Sequence, residues 1–132
     1  GWALYTERLA VEQGWYQDDV PGLLGALGSE LFRARRLVVD TGLHTKGWTR
    51  QQAIDYGIGA QETERYVVWP GQANAYMIGM LRILELREKA QKELGDKYSL
   101  PAFHDLVLGA GSVPLDVLGE LVDNWIAQQK KA

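Results

Sequence analysis

The sequence predicts an all-α fold of about seven helices, and three observations lead to this prediction. Apolar residues recur every three or four positions through most of the 132 residues, which is the period of one side of an α-helix. Ser, Thr, Pro and Gly, which typically begin or end helices, separate these stretches. No segment of useful length alternates apolar and polar residues in the way that an amphipathic β-strand requires.

The first four helices are predicted between residue 2 and residue 68. Thr49 and Gln52 have the spacing of a capping box, which predicts the start of the third helix. The predicted bounds are 2–13, from Pro21-Gly22 to a break at Gly42 and 45–47, 49–56, and 62–68. The second helix carries an apolar stripe, which predicts that this side packs on a core. The stripe consists of Leu24, Leu27, Leu31, Ala34 and Val38.

The last three helices follow Pro70, Ser99 and Ser112. Pro70 suits a first helical turn, and Gly95 suits the left-handed position that ends the fifth helix after about Leu94. Residues 73–86 are apolar on nearly all sides, so we expect that half of the helix to be buried on several sides. The sixth helix is predicted to end near residue 108. One face of the seventh carries Leu115, Leu118, Val122, Trp125 and Ile126.

Composition predicts a single helical unit over residues 1–132 and excludes several classes of function. Hydrophobic residues make up 46% of the chain and charged residues 23%, which is typical of a globular protein. The net charge of −3 gives no electrostatic surface for nucleic acid. The absence of Cys excludes disulfides and thiolate metal sites. No apolar run reaches the roughly 18 residues of a transmembrane helix, and no sequence feature indicates a compartment.

A helix-turn-helix is an alternative interpretation of residues 52–66, because their pattern superficially matches this DNA-binding motif. The recognition helix would contain Glu62 and Glu64, which would repel the phosphates of DNA. Thr63 stands where an apolar anchor is expected. We therefore expect no nucleic-acid partner.

The start of the chain, Gly1-Trp2-Ala3-Leu4-Tyr5, resembles part of a helix that supplies the third metal ligand in zincin-type zinc peptidases. Together with this start, a series of ordered motifs resembles the C-terminal part of the bacterial domain-of-unknown-function family 885, over essentially the whole chain. These motifs are Arg36-Leu37-Val38-Val39-Asp40-Thr41-Gly42-Leu43-His44, Gly47-Trp48-Thr49-Arg50, Gln52-Ala53-Ile54, Glu64-Arg65-Tyr66, Pro70-Gly71-Gln72-Ala73-Asn74-Ala75-Tyr76 and Phe103-His104-Asp105.

This resemblance implies a zincin-like metallopeptidase. In the family's pattern a ligand Glu directly precedes Gly1, and a His-Glu-x-x-His type of helix lies further upstream. The chain contains neither. We therefore expect it to be the C-terminal piece of a larger catalytic domain, with no metal site of its own and no activity alone, whereas zinc is expected in the intact parent.

A polar stripe on the second helix holds the first candidate site residues. Arg33, Arg36, Asp40 and His44 follow one another at spacings of three and four. In the functional interpretation, Asp40 orients His44, which donates a hydrogen bond to a substrate carbonyl or oxyanion. In the structural interpretation, Arg36 and Asp40 form a salt bridge and His44 caps the helix end.

Tyr76 is the second catalytic candidate. The resemblance to helical metallopeptidases implies that its phenol stabilises the tetrahedral oxyanion, and Gln72 one turn earlier is a candidate for binding the substrate backbone. Gly79 would let another backbone or a ligand come close. The alternative for Tyr76 is a core residue with its hydroxyl bonded to a carbonyl.

Glu7 and Arg65 complete the candidate set. Glu7 would hold a metal-ligand His, or it would form an ion pair with Arg33, Arg36 or Arg65. Arg65 would bind a substrate carboxylate, although a surface salt bridge is the commoner role for such a residue. His104, beside Asp105, is interpreted as structural.

These observations predict the C-terminal helical segment of a zinc metallopeptidase that hydrolyses peptides. The alternative is a non-catalytic helical module for protein interaction. The expected partners are the N-terminal portion of the parent and a peptide substrate. We also expect self-association through exposed apolar faces.

Overall fold

The computed structural model describes residues 1–131 and confirms the all-α prediction. Within that range the chain forms seven α-helices, two short 3-10 helices and no β-strand. The α-helices are α1 (Trp2–Glu12), α2 (Val20–Thr45), α3 (Arg50–Asp55), α4 (Ala60–Val68), α5 (Ala75–Leu94), α6 (Leu100–Gly109) and α7 (Leu115–Lys131). The 3-10 helices are Gln72–Asn74 and Gly95–Lys97. In the described part of the chain, no helix combines the length and apolar character needed to cross a membrane.

The described chain divides into two compact units, Gly1–Leu81 and the remainder from Arg82. The boundary lies inside α5, so both units include part of that helix. The candidate residues Glu7, Arg36, Asp40, His44, Arg65, Gln72 and Tyr76 all belong to the first unit. His104 belongs to the second.

Capping residues explain where most helices begin. The side chain of Asp19 accepts a hydrogen bond from the Gly22 amide, and α2 therefore starts at Val20. The capping box predicted for α3 is present, with Thr49 and Gln52 bonding reciprocally. Ser99 caps α6 as predicted.

Two predicted boundaries differ from the structure. Gly42 does not end α2, which continues to Thr45. This glycine is buried against Trp48, whose ring would lie 2.5 Å from an added Cβ atom, so it serves close packing. The fifth helix begins at Ala75 instead of Pro70, because Gly71 adopts a left-handed conformation with φ of 80° and a 3-10 turn intervenes.

The core of the first unit contains Val39, Ala53, Ile58, Tyr66 and Ala73, with Phe32, Leu43 and Trp48 packed against it. The apolar stripe of α2 was wrongly assigned to a core. Leu24, Leu27 and Leu31 are 70%, 51% and 52% exposed. Periodicity locates apolar faces without saying which one is covered, and α2 carries apolar residues on two sides.

The core of the second unit is built by α6, α7 and the end of α5. Phe103, Leu118, Val122 and Ile126 are buried, which confirms the predicted face of α7.

The prediction that 73–86 would be buried on several sides is wrong in part. Met77, Met80, Ile83 and Leu86 are buried, whereas Ile78 and Leu81 are about half exposed.

Candidate functional site

The carboxylate of Asp40 holds the chain at the turn before α5. It is buried and accepts hydrogen bonds from the Gly71 amide, 3.1 Å from each carboxylate oxygen, and from the Asn74 side-chain amide at 3.2 Å. The bonds from Gly71 satisfy the backbone amide of the residue that caps the start of the 3-10 helix Gln72–Asn74. Neither sequence interpretation predicted these partners, and the hydrogen bonds of Asp40 described for this part of the chain join it to Gly71 and Asn74.

His44 is bonded to the backbone of α4. Its Nε2 atom lies 2.9 Å from the carbonyl oxygen of Tyr66. A carbonyl only accepts, so Nε2 carries the hydrogen and neutral His44 presents Nδ1 as an acceptor. His44 can donate a second hydrogen bond only when the ring is doubly protonated, which restricts the predicted role at an oxyanion.

Arg36 places a buried cation among three aromatic rings. Its guanidinium carbon lies 4.6 Å from the ring centroid of Tyr76, 5.4 Å from that of Phe32 and 5.6 Å from that of Tyr66. The residue is 5% exposed, and its Nε atom is buried without a hydrogen-bond partner in the described structure. A cation over a ring gains about 0.5–2 kcal/mol, but the rings leave the N–H donors unsatisfied.

Arg65 is paired within its own helix. Its Nε and Nη2 atoms donate to the two carboxylate oxygens of Glu62, at 3.1 and 2.9 Å, and its Nη1 atom donates to the Gln72 side-chain oxygen at 2.8 Å. The role of Arg65 in binding a substrate carboxylate stays a prediction. The ion pair that we weighed as the alternative is the one that forms.

Tyr66 also contacts Glu62 in this network. Its hydroxyl donates to Glu62 at 3.0 Å. Burial, with the bond to Glu62, raises the pKa of Tyr66 to about 12, so the phenol stays protonated. The hydrogen bond from Arg65, with that from Tyr66, lowers the pKa of Glu62. Glu62 therefore remains a carboxylate near neutral pH.

Gln72 determines what the Tyr76 hydroxyl can do. Because the Gln72 oxygen accepts from Arg65, its amide nitrogen faces Tyr76, 3.5 Å from the hydroxyl oxygen. Gln72 is the donor in this contact, so the Tyr76 oxygen accepts. The hydrogen of this half-buried hydroxyl can then be donated to another acceptor.

Glu7 joins the site through α2. The Ser29 hydroxyl donates to Glu7 at 2.8 Å, and Arg33 lies 3.7 Å from the same carboxylate. Arg33 also lies 5.9 Å from the ring centroid of Tyr76. The ion pair weighed as an alternative for Glu7 is therefore present. Ser29 was missed by sequence reasoning, and its spacing of four residues from Arg33 was the available signal.

The start of α1 lies directly against α5. A Cβ atom on Gly79 would be 2.6 Å from the Cα atom of Gly1, so this contact requires glycine on α5. The prediction that Gly79 admits another backbone is confirmed. Gly79 follows Tyr76 by one turn, and this contact places the beginning of α1 beside the site.

The structure thus assembles one arginine–tyrosine cluster in the first unit. The cluster consists of Arg33, Arg36, Glu62, Arg65, Tyr66, Gln72 and Tyr76, with Glu7 attached through Arg33. Asp40 and His44 hold its supporting turns instead of facing it. His104 lies in the other unit, where burial lowers its pKa. Across residues 1–131, no group of three His, Cys, Asp or Glu residues could hold a metal ion.

Comparison with known proteins identifies a matching family and a similar crystal structure. Residues 1–122 match the model of a family described as bacterial protein of unknown function, DUF885. A crystal structure described as that of the putative lipoprotein from Colwellia psychrerythraea is 54% identical to this chain and superposes with a TM-score of 0.93. The match covers 97% of this chain and 23% of that one, so the chain spans about a quarter of its length. No curated protein is similar to the chain.

Proposed function

The chain belongs to the bacterial DUF885 family, and from this membership we propose that it is the C-terminal helical segment of a peptidase catalytic domain. The observation that carries the proposal is the Tyr76 hydroxyl, which accepts from Gln72 and has its own hydrogen to give. A donor aimed at a carbonyl that becomes an oxyanion is what peptide hydrolysis requires.

The approach of α1 to α5 supports this proposal. The family's pattern puts a metal-ligand Glu immediately before the Gly-Trp-Ala sequence, and here that sequence begins within a turn of Tyr76 along α5. A ligand at this point would lie on the same side of α5 as the phenol. The two residues are thus suited to act on one substrate carbonyl.

The metal itself is not assigned to this chain. The described residues do not fit a zinc site, as no three potential ligands converge. The proposal therefore assigns the metal to other parts of the longer protein, where it would activate the attacking water. The roles proposed for this segment are hydrogen bonding by Tyr76, support of Tyr76 by Gln72, and placement of both by Asp40. His44 enters only as a second donor in its doubly protonated form.

A helical interaction module remains the second candidate function, and the exposed apolar stripe of α2 favours it. The two candidates differ in what the Tyr76 hydroxyl does. In an interaction module, Tyr76 and Gln72 are packing residues, and the full-length protein hydrolyses no peptide.

The test is Tyr76→Phe in the full-length protein. The substitution keeps the ring that contacts Arg36 and removes only the hydroxyl, so we expect kcat for peptide hydrolysis to fall about 10²–10³-fold, with unchanged metal content and melting temperature. Tyr56→Phe is the matched control, because Tyr56 is exposed and packs on Trp48 outside the cluster.

Wild-type kcat in Tyr76→Phe would assign Tyr76 to packing and overturn the proposal. Loss of activity that follows loss of thermal stability would do the same. His44→Gln adds a separate comparison, because glutamine keeps a donor for the Tyr66 carbonyl and removes the second ring nitrogen.

A further inference from the structure

Arg36 is the one arginine of the described cluster whose charge has no carboxylate partner. Arg33 is paired with Glu7, and Arg65 is paired with Glu62. Asp40, one turn from Arg36, has its oxygens occupied by Gly71 and Asn74. Arg36 therefore lacks the carboxylate contact that the other two arginines have, and it is 5% exposed.

A buried cation in this state is unusual, because burial of an unpaired charge is costly. The rings of Phe32, Tyr66 and Tyr76 compensate part of the charge, yet they accept no hydrogen bond in the plane of the guanidinium. The Nε atom of Arg36 is buried with no partner in the described structure. The rings lie against the guanidinium and supply no acceptor for its edge, where a group with two oxygens would make two hydrogen bonds.

We propose that Arg36 binds the C-terminal carboxylate of a peptide, so that the site is specific for the last residue of that peptide. This inference rests on the proposed peptidase function. A carboxylate matches the guanidinium edge in a two-bond geometry and supplies the contact that Arg36 lacks. A phosphate would bring nearly two charges, and the neighbouring Arg33 and Arg65 are already paired.

The position of Arg36 indicates which carboxylate this is. The guanidinium lies 4.6 Å from the ring centroid of Tyr76, whose hydroxyl is proposed to contact the carbonyl under attack. Consecutive Cα atoms of a peptide are only about 3.8 Å apart. A carboxylate that reaches Arg36 while the carbonyl reaches Tyr76 thus belongs to the residue directly after the cleaved bond.

The experiment measures binding first, by calorimetry on the full-length protein with three probes. These are N-acetyl-alanyl-alanine, its C-terminal amide, and N-acetyl-alanyl-glutamate amide, whose only carboxylate is on the side chain. We expect the free acid to bind about 10- to 100-fold more tightly than either amide, as loss of a charged hydrogen-bonded pair predicts. Arg36→Met should reduce this ratio to near one.

Arg50→Met is the matched control, because Arg50 pairs with Glu64 on the exposed side of α3 and α4. It should preserve the ratio. Arg36→Lys keeps the positive charge without the planar guanidinium edge, so it should retain only part of the preference for the free acid. If Arg36→Met fails to fold, the ratio of acid to amide affinity in the wild type and in Arg36→Lys still tests the inference.

Equal binding of acid and amide by the wild type overturns the inference, as does absence of acid binding at millimolar concentration or an unchanged ratio in folded Arg36→Met. Preference for the glutamate probe would assign Arg36 to an acidic side chain and overturn the terminal assignment. Hydrolysis is scored separately. If the protein hydrolyses peptides but does not prefer the free acid, the proposed function is supported and the carboxylate site at Arg36 is overturned. If it prefers the free acid but hydrolyses no peptide, the carboxylate site is supported and the proposed function is overturned.

Discussion

At the scale of single residues, Tyr66 links the most contacts of the cluster. Its ring lies beside two guanidinium groups, its hydroxyl donates to Glu62, and its carbonyl accepts from His44. The sequence showed only a Tyr after Glu64-Arg65, and nothing in that pattern distinguishes it from a surface residue. Full burial of the ring is a tertiary effect that local spacing does not report.

The raised pKa of Tyr66 gives a prediction for stability at alkaline pH. In the unfolded chain a Tyr ionises near pH 10, whereas folded Tyr66 ionises near 12. The contribution of the protonated Tyr66 phenol to the free energy of unfolding is therefore complete below pH 10 and is lost as the pH rises toward 12. The free energy of unfolding of the full-length protein should exceed that of Tyr66→Phe by a constant amount below pH 10. Above pH 10 the difference should shrink, by up to about 1.4 kcal/mol per pH unit.

Urea unfolding between pH 8 and 12 measures this difference. Tyr56→Phe, at an exposed position, should follow the wild type throughout. A gap between wild type and Tyr66→Phe that stays constant to pH 12 would contradict the proposed burial of the phenol.

At the scale of helices, local signals predicted most boundaries and the buried face of α7, but they did not predict which face of α2 is buried. The capping box at Thr49 and Gln52 and the cap at Ser99 depend on neighbours within three residues, so the sequence contains them in full. The bonds of Asp40 reach partners 31 and 34 positions away. No pattern of short spacing could show that Asp40, in the polar stripe of α2, holds the turn before α5.

Two glycines test how closely the helices approach. Gly79→Ala places a methyl group against the backbone of Gly1, where no side chain can yield. Overpacking of this kind costs about 1–3 kcal/mol. Gly28 lies inside α2 with nothing near an added Cβ atom, so Gly28→Ala should stabilise by about 0.5–1 kcal/mol, as Ala favours helix.

Thermal unfolding of both variants in the full-length protein gives the comparison. The melting temperature should fall for Gly79→Ala and rise for Gly28→Ala. Under the proposed function, Gly79→Ala also lowers peptidase activity, because it displaces α1 from the side of Tyr76. A neutral Gly79→Ala would show that α1 and α5 are further apart than described.

At the scale of the whole molecule, the apolar stripe of α2 is the largest departure from a self-contained domain. Leu24, Leu27 and Leu31 expose half or more of their surface, and neighbouring Trp15 is 77% exposed. Exposed apolar residues clustered in this way mark surfaces that contact other protein. The sequence predicted an apolar face here, and in the structure no other part of the described chain covers the leucines of that face.

The isolated 132-residue segment should therefore self-associate and bind a hydrophobic dye. Replacing Leu24 and Leu31 with Lys should shift the sedimentation coefficient toward that of a monomer and reduce dye fluorescence. Val68→Lys is the control, because Val68 is 81% exposed on α4, away from the stripe. Association unchanged by the double substitution would assign the contact to another surface.

The clamp formed by Asp40 has a consequence for any mutational screen of this protein. Asp40 fixes Gly71 and Asn74, and Gln72 and Tyr76 follow within two and five residues of Gly71. Under the proposed function, a screen scored on turnover would rank Asp40 with the residues proposed to touch substrate, although its carboxylate binds groups of the protein itself. Scoring the same library for abundance as well as turnover separates the two groups, because Asp40 variants lose both and Tyr76→Phe loses turnover alone.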